Sequence, residues 1–319
     1  MKKLLLGKQI IGCAIVASAF IGGGALAQAY PSRNITVLDN VTGGPQEAVK
    51  RAILAKVKDN SGVNMLYEGR PGGGGAPGLQ AVKNAAPDGY TIGVTYSSAL
   101  NLGPLINTET GLDALRDFVP ITKVWNAANI WIGRSDHPAK DIRDLVAMAK
   151  AKPESIKVGL FGAGNRLFIA LLEEKTGAKF LGVPFKSTGD TQAAVLGGHI
   201  DAAFDVPAVP LGQGGKIKAF LYGVNPGLPQ LPNVPSTIDV YGIETSSWTG
   251  FLAPAKTQPE QINWLSRELI RAMKDPAIAK MMQDALLPVV IVSPSEFAAD
   301  LKKEVEEYRA ALKRFPDIR

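Results

Sequence analysis

Short β-prone runs alternate along this chain with segments whose apolar residues recur at helical spacing. That alternation restricts the chain to an α/β architecture. Ile35-Thr36-Val37-Leu38 reads as a first strand. A loop through Thr42-Gly43-Gly44 follows, and Pro45 opens a helix in the first-turn position that suits proline. Val49, Ile53 and Val57 then place one apolar face of that helix on a sheet. Tyr90 to Tyr96 is a second strand, and Trp125 to Ile132 reads as a third, ended by Ser135-Asp136-His137-Pro138. The same rhythm resumes with a helix through Ile142, Leu145 and Val146 and a strand over Ile156 to Leu160. Gly162-Ala163-Gly164-Asn165 reads as a turn before a helix from Arg166 to Lys175, which Gly177 can cap. A helix over Thr191 to Leu196 and strands at Ile200 to Phe204 and Lys218 to Val224 complete this half.

The segment from Asn225 to Pro235 carries Pro226, Pro229, Pro232 and Pro235, which excludes helix and central strand. It reads as a surface excursion before the chain returns. Ser246 to Ala253 is then a strand, and Pro259 to Met273 an amphipathic helix. Ser293-Pro294-Ser295-Glu296 is a capping box that opens the last helix, with Phe297, Leu301, Val305, Tyr308 and Leu312 as its buried stripe. We therefore expect two domains: residues 30–130 with 245–319 in the first, and 131–244 in the second. Two chain crossings between them make a hinge and leave a cleft.

The N-terminus has its own logic. Met1-Lys2-Lys3 and Lys8 are positive, Ile10 to Phe20 is apolar, and Ala25-Leu26-Ala27 and Ala27-Gln28-Ala29 are small-x-small cleavage sites. Residues 1–27 are thus expected to be a secretory signal peptide, with cleavage after 27 or 29. The apolar core is too short and too rich in glycine for a membrane span, which needs about 20 apolar residues. A lipobox reading of Ile10-Ile11-Gly12-Cys13 ranks lower, because Lys8 lies close before it and the apolar stretch runs on past it. Cys13 is the sole cysteine, so the processed chain has no disulfide and no thiolate chemistry. Removing the leader, with three lysines and no acid, takes the formal net charge from +6 to +3. No basic stripe with interleaved aromatics is present, which excludes a nucleic-acid partner.

Enzyme chemistry finds little support. The two histidines, His137 and His199, have no partner at metal-ligand spacing, and no G-x-S-x-G elbow is present. Gly72-Gly73-Gly74-Gly75 is not followed by Lys-Ser/Thr, and Gly162-Ala163-Gly164 lacks the third glycine of a dinucleotide fingerprint. No cofactor or metal is implied. What remains is a pair of strand-loop-helix units, at Thr42 to Pro45 and Gly162 to Asn165, each aiming a helix N-terminus out of a sheet edge. Unpaired N–H groups there suit a carboxylate. Glu47 reads as a dipole-stabilising acid in the first of them.

The order and spacing of several short motifs resemble the Bug proteins, the periplasmic solute receptors of tripartite tricarboxylate transporters. These are Tyr30-Pro31-Ser32-Arg33, Arg70-Pro71 with the four glycines, Ala86-Pro87-Asp88-Gly89-Tyr90-Thr91, and Asp117-Phe118-Val119-Pro120-Ile121-Thr122. Val183-Pro184-Phe185-Lys186, Leu196-Gly197-Gly198-His199-Ile200-Asp201 and Phe204-Asp205 continue the set to cover the chain from about Tyr30 onward. The resemblance implies a two-domain α/β fold of the periplasmic-binding-protein, type II-like class with an interdomain ligand cleft. It implies a monomeric periplasmic receptor that is not an enzyme, and that captures a small organic carboxylate, a di- or tricarboxylate or an aromatic acid, for delivery to membrane transporter subunits. A sensor that presents its ligand to a two-component kinase is an alternative of another class, and a secreted hydrolase a weaker one.

At positions that match the family's motifs, the resemblance assigns ligand binding to Thr42, Gly43 and Gly44, to Ser97 and Ser98, to Gly164, Asn165 and Arg166, and to Asp205. The chain departs from the pattern on its site loops. Asn165, Arg166 and Leu167 replace a usual Thr-Ser-Ser, and Asp39-Asn40 replaces a common Pro-aromatic pair. Arg166 either pairs a ligand carboxylate or faces solvent. With Tyr96, Phe161, Phe168 and Phe185 nearby in sequence, an arginine at the site would favour a flat aromatic acid over citrate.

Overall fold

The structure is a computed structural model and describes residues 30–224 and 229–318. The signal-peptide reading and Cys13 fall outside the described residues. The chain opens with β1 (Ile35–Asp39), α1 (Gly44–Ser61), β2 (Met65–Gly69), α2 (Ala76–Lys83) and β3 (Thr91–Tyr96). Two short helices, α3 (Ser97–Asn101) and α4 (Gly103–Ile106), precede the long strand β4 (Phe118–Ala128). The next stretch holds β5 (Ile130–Arg134), α5 (Ile142–Ala151), β6 (Lys157–Leu160), α6 (Ala163–Thr176) and β7 (Leu181–Pro184). After it come α7 (Thr188–Leu196), β8 (Ala202–Asp205), α8 (Ala208–Gly212), β9 (Ile217–Tyr222) and α9 (Thr237–Tyr241). The chain then returns through β10 (Ser246–Pro254), α10 (Pro259–Met273), α11 (Pro276–Asp284) and α12 (Pro294–Arg314).

These strands form two five-stranded sheets, ordered β2-β1-β3-β10-β4 and β7-β6-β8-β5-β9. In the first, β1 runs parallel to β2 and β3, while β10 is antiparallel to β3 and β4. The second repeats the plan, with β6 parallel to β7 and β8, and β5 antiparallel to β8 and β9. Each sheet is covered on both faces, which is why its strands read as near-continuous apolar runs. Val49, Ile53 and Val57 of α1 and Leu265 and Leu269 of α10 pack on Ile35, Val37 and Ile92. On the other face, Leu79 of α2 and Phe297, Leu301 and Val305 of α12 pack on Leu38 and Leu252. The second sheet is centred on Trp131, fully buried, whose ring meets Phe168, Phe180 and Phe204 edge-on with centroids 5.2–5.7 Å apart.

One sequence expectation fails here in an instructive way. Trp125 to Ile132 is not one strand. β4 ends at Ala128 and β5 starts at Ile130, in the other sheet, so the chain changes sheets at Asn129. Both strands are buried, so the apolar pattern runs unbroken through the switch. The crossing is laced to the returning chain. Gly223 N–H donates to Asn129 O at 2.9 Å, Asn129 N–H to Thr245 O at 3.2 Å, and Thr245 N–H to Gly223 O at 2.8 Å. A Cβ at Gly223 would lie 2.0 Å from Thr245 O, so only glycine fits between the crossing segments.

Candidate functional site

Between the two sheets lies a cavity of about 480 Å³ with walls from both. The β1–α1 loop, the end of β3, β4, β10 and α12 form one side. The β6–α6 turn, the end of β8 and the start of α7 form the other.

The first wall is held by a buried ion pair. Asp39 and Lys50, 1% and 3% exposed, contact each other directly. Asp39 also accepts from the Tyr67 hydroxyl at 2.6 Å and from Val41 N–H at 2.9 Å, and Lys50 donates to Val41 O at 2.9 Å. Burial pulls the Lys50 ammonium below its ordinary pKa, and Asp39 opposes that. The result is a fixed loop ahead of α1. At the N-terminus of α1, Gly43 N–H donates to the Glu47 carboxylate at 2.6 Å, and that bond holds Glu47 below the usual carboxylate range.

Deeper on this side, Asn40 donates to Thr95 Oγ1 at 2.7 Å, and Ser97 Oγ lies 3.1 Å from Ser247 Oγ. Lys123, 8% exposed, donates to Asp300 at 2.6 Å. Glu304 of α12 takes the Trp248 indole N–H at 2.7 Å and the Asn101 amide at 2.7 Å. Burial pushes the Glu304 carboxyl above its ordinary pKa, against those bonds.

The second wall is α6. The helix starts at Ala163, three residues earlier than its sequence suggests, because Gly162 takes the N-cap at φ 85° and Gly164 and Asn165 are absorbed into the first turn. No side chain caps this end, although Asn165 Oδ1 accepts from Phe161 N–H at 2.7 Å and ties the turn together. Helical periodicity then sorts the side chains. Gly164, Leu167, Phe168 and Leu171 share the face that lines the cavity. Arg166, Ile169, Ala170 and Glu173 face the opposite way and line a separate outer groove with Arg314 and Phe315. The N-terminus of α6 meets the first wall directly, since a Cβ at Gly164 would fall 2.9 Å from Ser98 Cβ. Asp205 closes the far side. It is 8% exposed and accepts from Gln192 Nε2 and from Val206 N–H, each at 2.8 Å. Burial pushes its carboxyl up to about 6.

The structure thus brings Ser97, Ser98, Gly164, Asn165 and Asp205 to one cavity. It leaves Thr42 and Gly43 outside the lining, with the Thr42 methyl against Gly69. Arg166 is exposed on the outer face, so the carboxylate-pairing role expected of it has no access to the cavity. Phe185 does not line the cavity either and packs with the second sheet's core. Sequence reasoning passed over Lys50, Lys123, Trp125, Trp248, Glu304 and Tyr308, all of which line it. Lys50 sits beside Val49 and Glu304 beside Val305, where a charged residue next to a buried stripe reads as a solvated neighbour. Among the described residues, no histidine or cysteine lines the cavity. Among the described residues, no group of three or more His, Cys, Asp or Glu is placed to hold a metal.

A family model described as the tripartite tricarboxylate transporter family receptor matches residues 49–314. The chain belongs to this family. Within the family, BugT of Bordetella pertussis is 25% identical over 306 residues, covering 93% of this chain and 94% of its own. The solved periplasmic binding protein BugD superposes with a TM-score of 0.81 at 25% identity, over 89% of this chain and 98% of that one. MatC of Rhodopseudomonas palustris, solved with bound malate, shares the fold at TM-score 0.80 and 24% identity, over 89% of this chain and all of that one. The chain therefore shares the α/β fold of these solved proteins.

Proposed function

We propose that this receptor is exported to the periplasm, captures a small organic carboxylate in the cavity between its two domains, and hands it to the membrane subunits of a tripartite tricarboxylate transporter. The domains are residues 30–130 with 245–319, and 131–244. The observation that carries the reading is the cavity itself. It is built jointly by the two sheets and is furnished with hydroxyls and an uncapped helix N-terminus. Ser97, Ser98, Gly164 and Asn165 are the groups we assign to the carboxylate. The N–H groups of the first turn of α6 point to where an anion is stabilised without a cation. MatC, a protein with this fold, was solved with bound malate, which supports the ligand class. Among the described residues no helix is long and apolar enough to cross a membrane.

Differential scanning fluorimetry against a panel of organic acids, sugars and amines tests the reading. Acids should raise the melting temperature, with saturation at a hundred times Kd adding about 2.7 kcal/mol. A shift by sugars or simple amines alone would refute it.

A further inference from the structure

Two covalent crossings join the halves of the molecule, at Asn129 and along the segment from Gly223 to Thr245. The end of the chain adds a link that is not covalent. The first part of α12 belongs to the first sheet, through Phe297, Leu301 and Val305. Its last turn meets α6 of the second half instead. Leu312, 3% exposed, packs with Leu167 of α6 and with Leu102, and Leu171, Phe315 and Ile318 lie against the same cluster. A single 3₁₀ turn, Pro316–Ile318, then carries the chain onward. There Phe315, Pro316 and Ile318 line the outer groove together with Ile169 and Ala170. The tail thus touches α6 on the face that carries Leu167 and Leu171 and continues to the opposite one. Arg314 adds an ion pair to Glu174 near the end of α6.

This cluster lies directly behind the ligand cavity, since Leu167, Leu171 and Tyr308 belong to both. Among the described residues of 312–318, none lines the cavity. Chain ends are poorly ordered unless something ties them down, and here the first half's end is tied to the second half. A receptor that holds its ligand only when its halves meet has an apparent affinity scaled by the fraction of closed molecules. Apolar contacts made only across the closed halves raise that fraction without touching the ligand.

We propose that residues 312–318 are a clasp, which sets ligand affinity from outside the cavity by holding α6 against α12 in the closed state. The clasp rests on the receptor reading, because it acts through the closure that captures a ligand. Its signature is an effect of equal size on every ligand, whatever the chemistry of that ligand.

The double substitution Phe315→Ala/Ile318→Ala in the mature protein provides the test, because it leaves the cores of both sheets untouched. Every acid that raises the melting temperature of the wild type should bind about five- to thirtyfold more weakly, by one common factor and mainly through faster dissociation. The ligand-free radius of gyration, from small-angle X-ray scattering, should rise as the halves part. Glu174→Arg, at a half-exposed side chain, should weaken binding in the same way by up to about fivefold, and adding Arg314→Glu should restore it. Equal affinities and equal radii in the wild type and Phe315→Ala/Ile318→Ala overturn the clasp and leave the carboxylate reading intact. A loss that varies widely from acid to acid overturns it too, by placing the effect at the ligand. If no acid binds the wild type, the carboxylate reading fails and scattering still decides the clasp, which an unchanged radius overturns.

Discussion

Tyr96 and Phe161 stack across the cleft, with ring centroids 5.9 Å apart and planes 30° from parallel. Tyr96 ends β3 on the first sheet, and Phe161 follows β6 on the second. The pair is a direct contact between the two halves of the molecule at the wall of the ligand cavity, and it exists only when they are close together.

That contact should contribute to ligand retention. Replacing Phe161 by Ala removes an aromatic pair worth about 0.5–1.5 kcal/mol. The expected outcome is a rise in Kd of up to about tenfold, carried mainly by faster dissociation. Surface plasmon resonance separates the two rates. An unchanged dissociation rate would show that the stack plays no part in holding the cleft closed.

Gly164 and Ser98 set how closely α6 approaches α3, because a Cβ at Gly164 meets Ser98 Cβ at 2.9 Å and Ser98 Oγ at 3.0 Å. Gly164→Val should leave each half folded, with an unaltered circular dichroism spectrum. Ligand affinity should fall about five- to a hundredfold, from the 1–3 kcal/mol of an overpacked contact. Gly164→Ala, which adds only the Cβ, should cost less than Gly164→Val. If calorimetry finds the two losses equal, the effect arises elsewhere.

The Asp39–Lys50 pair predicts a stability effect with little to do with ligand. Lys50→Met leaves Asp39 buried without its cation, which costs about 3–5 kcal/mol. The double variant with Asp39→Asn should regain much of that, because the uncompensated charge is gone. Urea unfolding of the wild type and the three variants measures the coupling.

Asp205 makes stability depend on pH in a fixed direction. Its folded pKa of about 6 lies above the ordinary aspartate value of 3.8, so the native state holds a proton that the unfolded chain releases. Stability therefore falls as pH rises through this window, by about 3 kcal/mol if the whole shift is realised. Asp205→Asn, neutral throughout, should exceed the wild type in stability at pH 7 and lose that advantage by pH 4. A constant difference between the two across this range would be evidence against a raised Asp205 pKa.

Much of the fold was legible because local patterns carried it. The stripe Val49, Ile53, Val57 became the buried face of α1, and the Ser293–Glu296 capping box is present, with both reciprocal bonds formed. Of the residues that the sequence singled out, Ser97, Ser98, Gly164, Asn165 and Asp205 line the cavity, because each lies at or just beyond the end of a strand or at the start of a helix. The sequence left two readings open for Arg166, and in α6 it lies on the face opposite Leu167 and Phe168, exposed along the outer groove.

Local chemistry in the chain was enough to specify the α/β alternation, the helix caps and the family to which the chain belongs, because these depend on neighbours in sequence. The electrostatics of the cavity depend on partners far apart in it. Lys123 meets Asp300, Trp248 meets Glu304, and Asp205 meets no cation at all. Charges act through space, so only the tertiary structure could decide which of them were already neutralised and which were left without a partner of opposite charge.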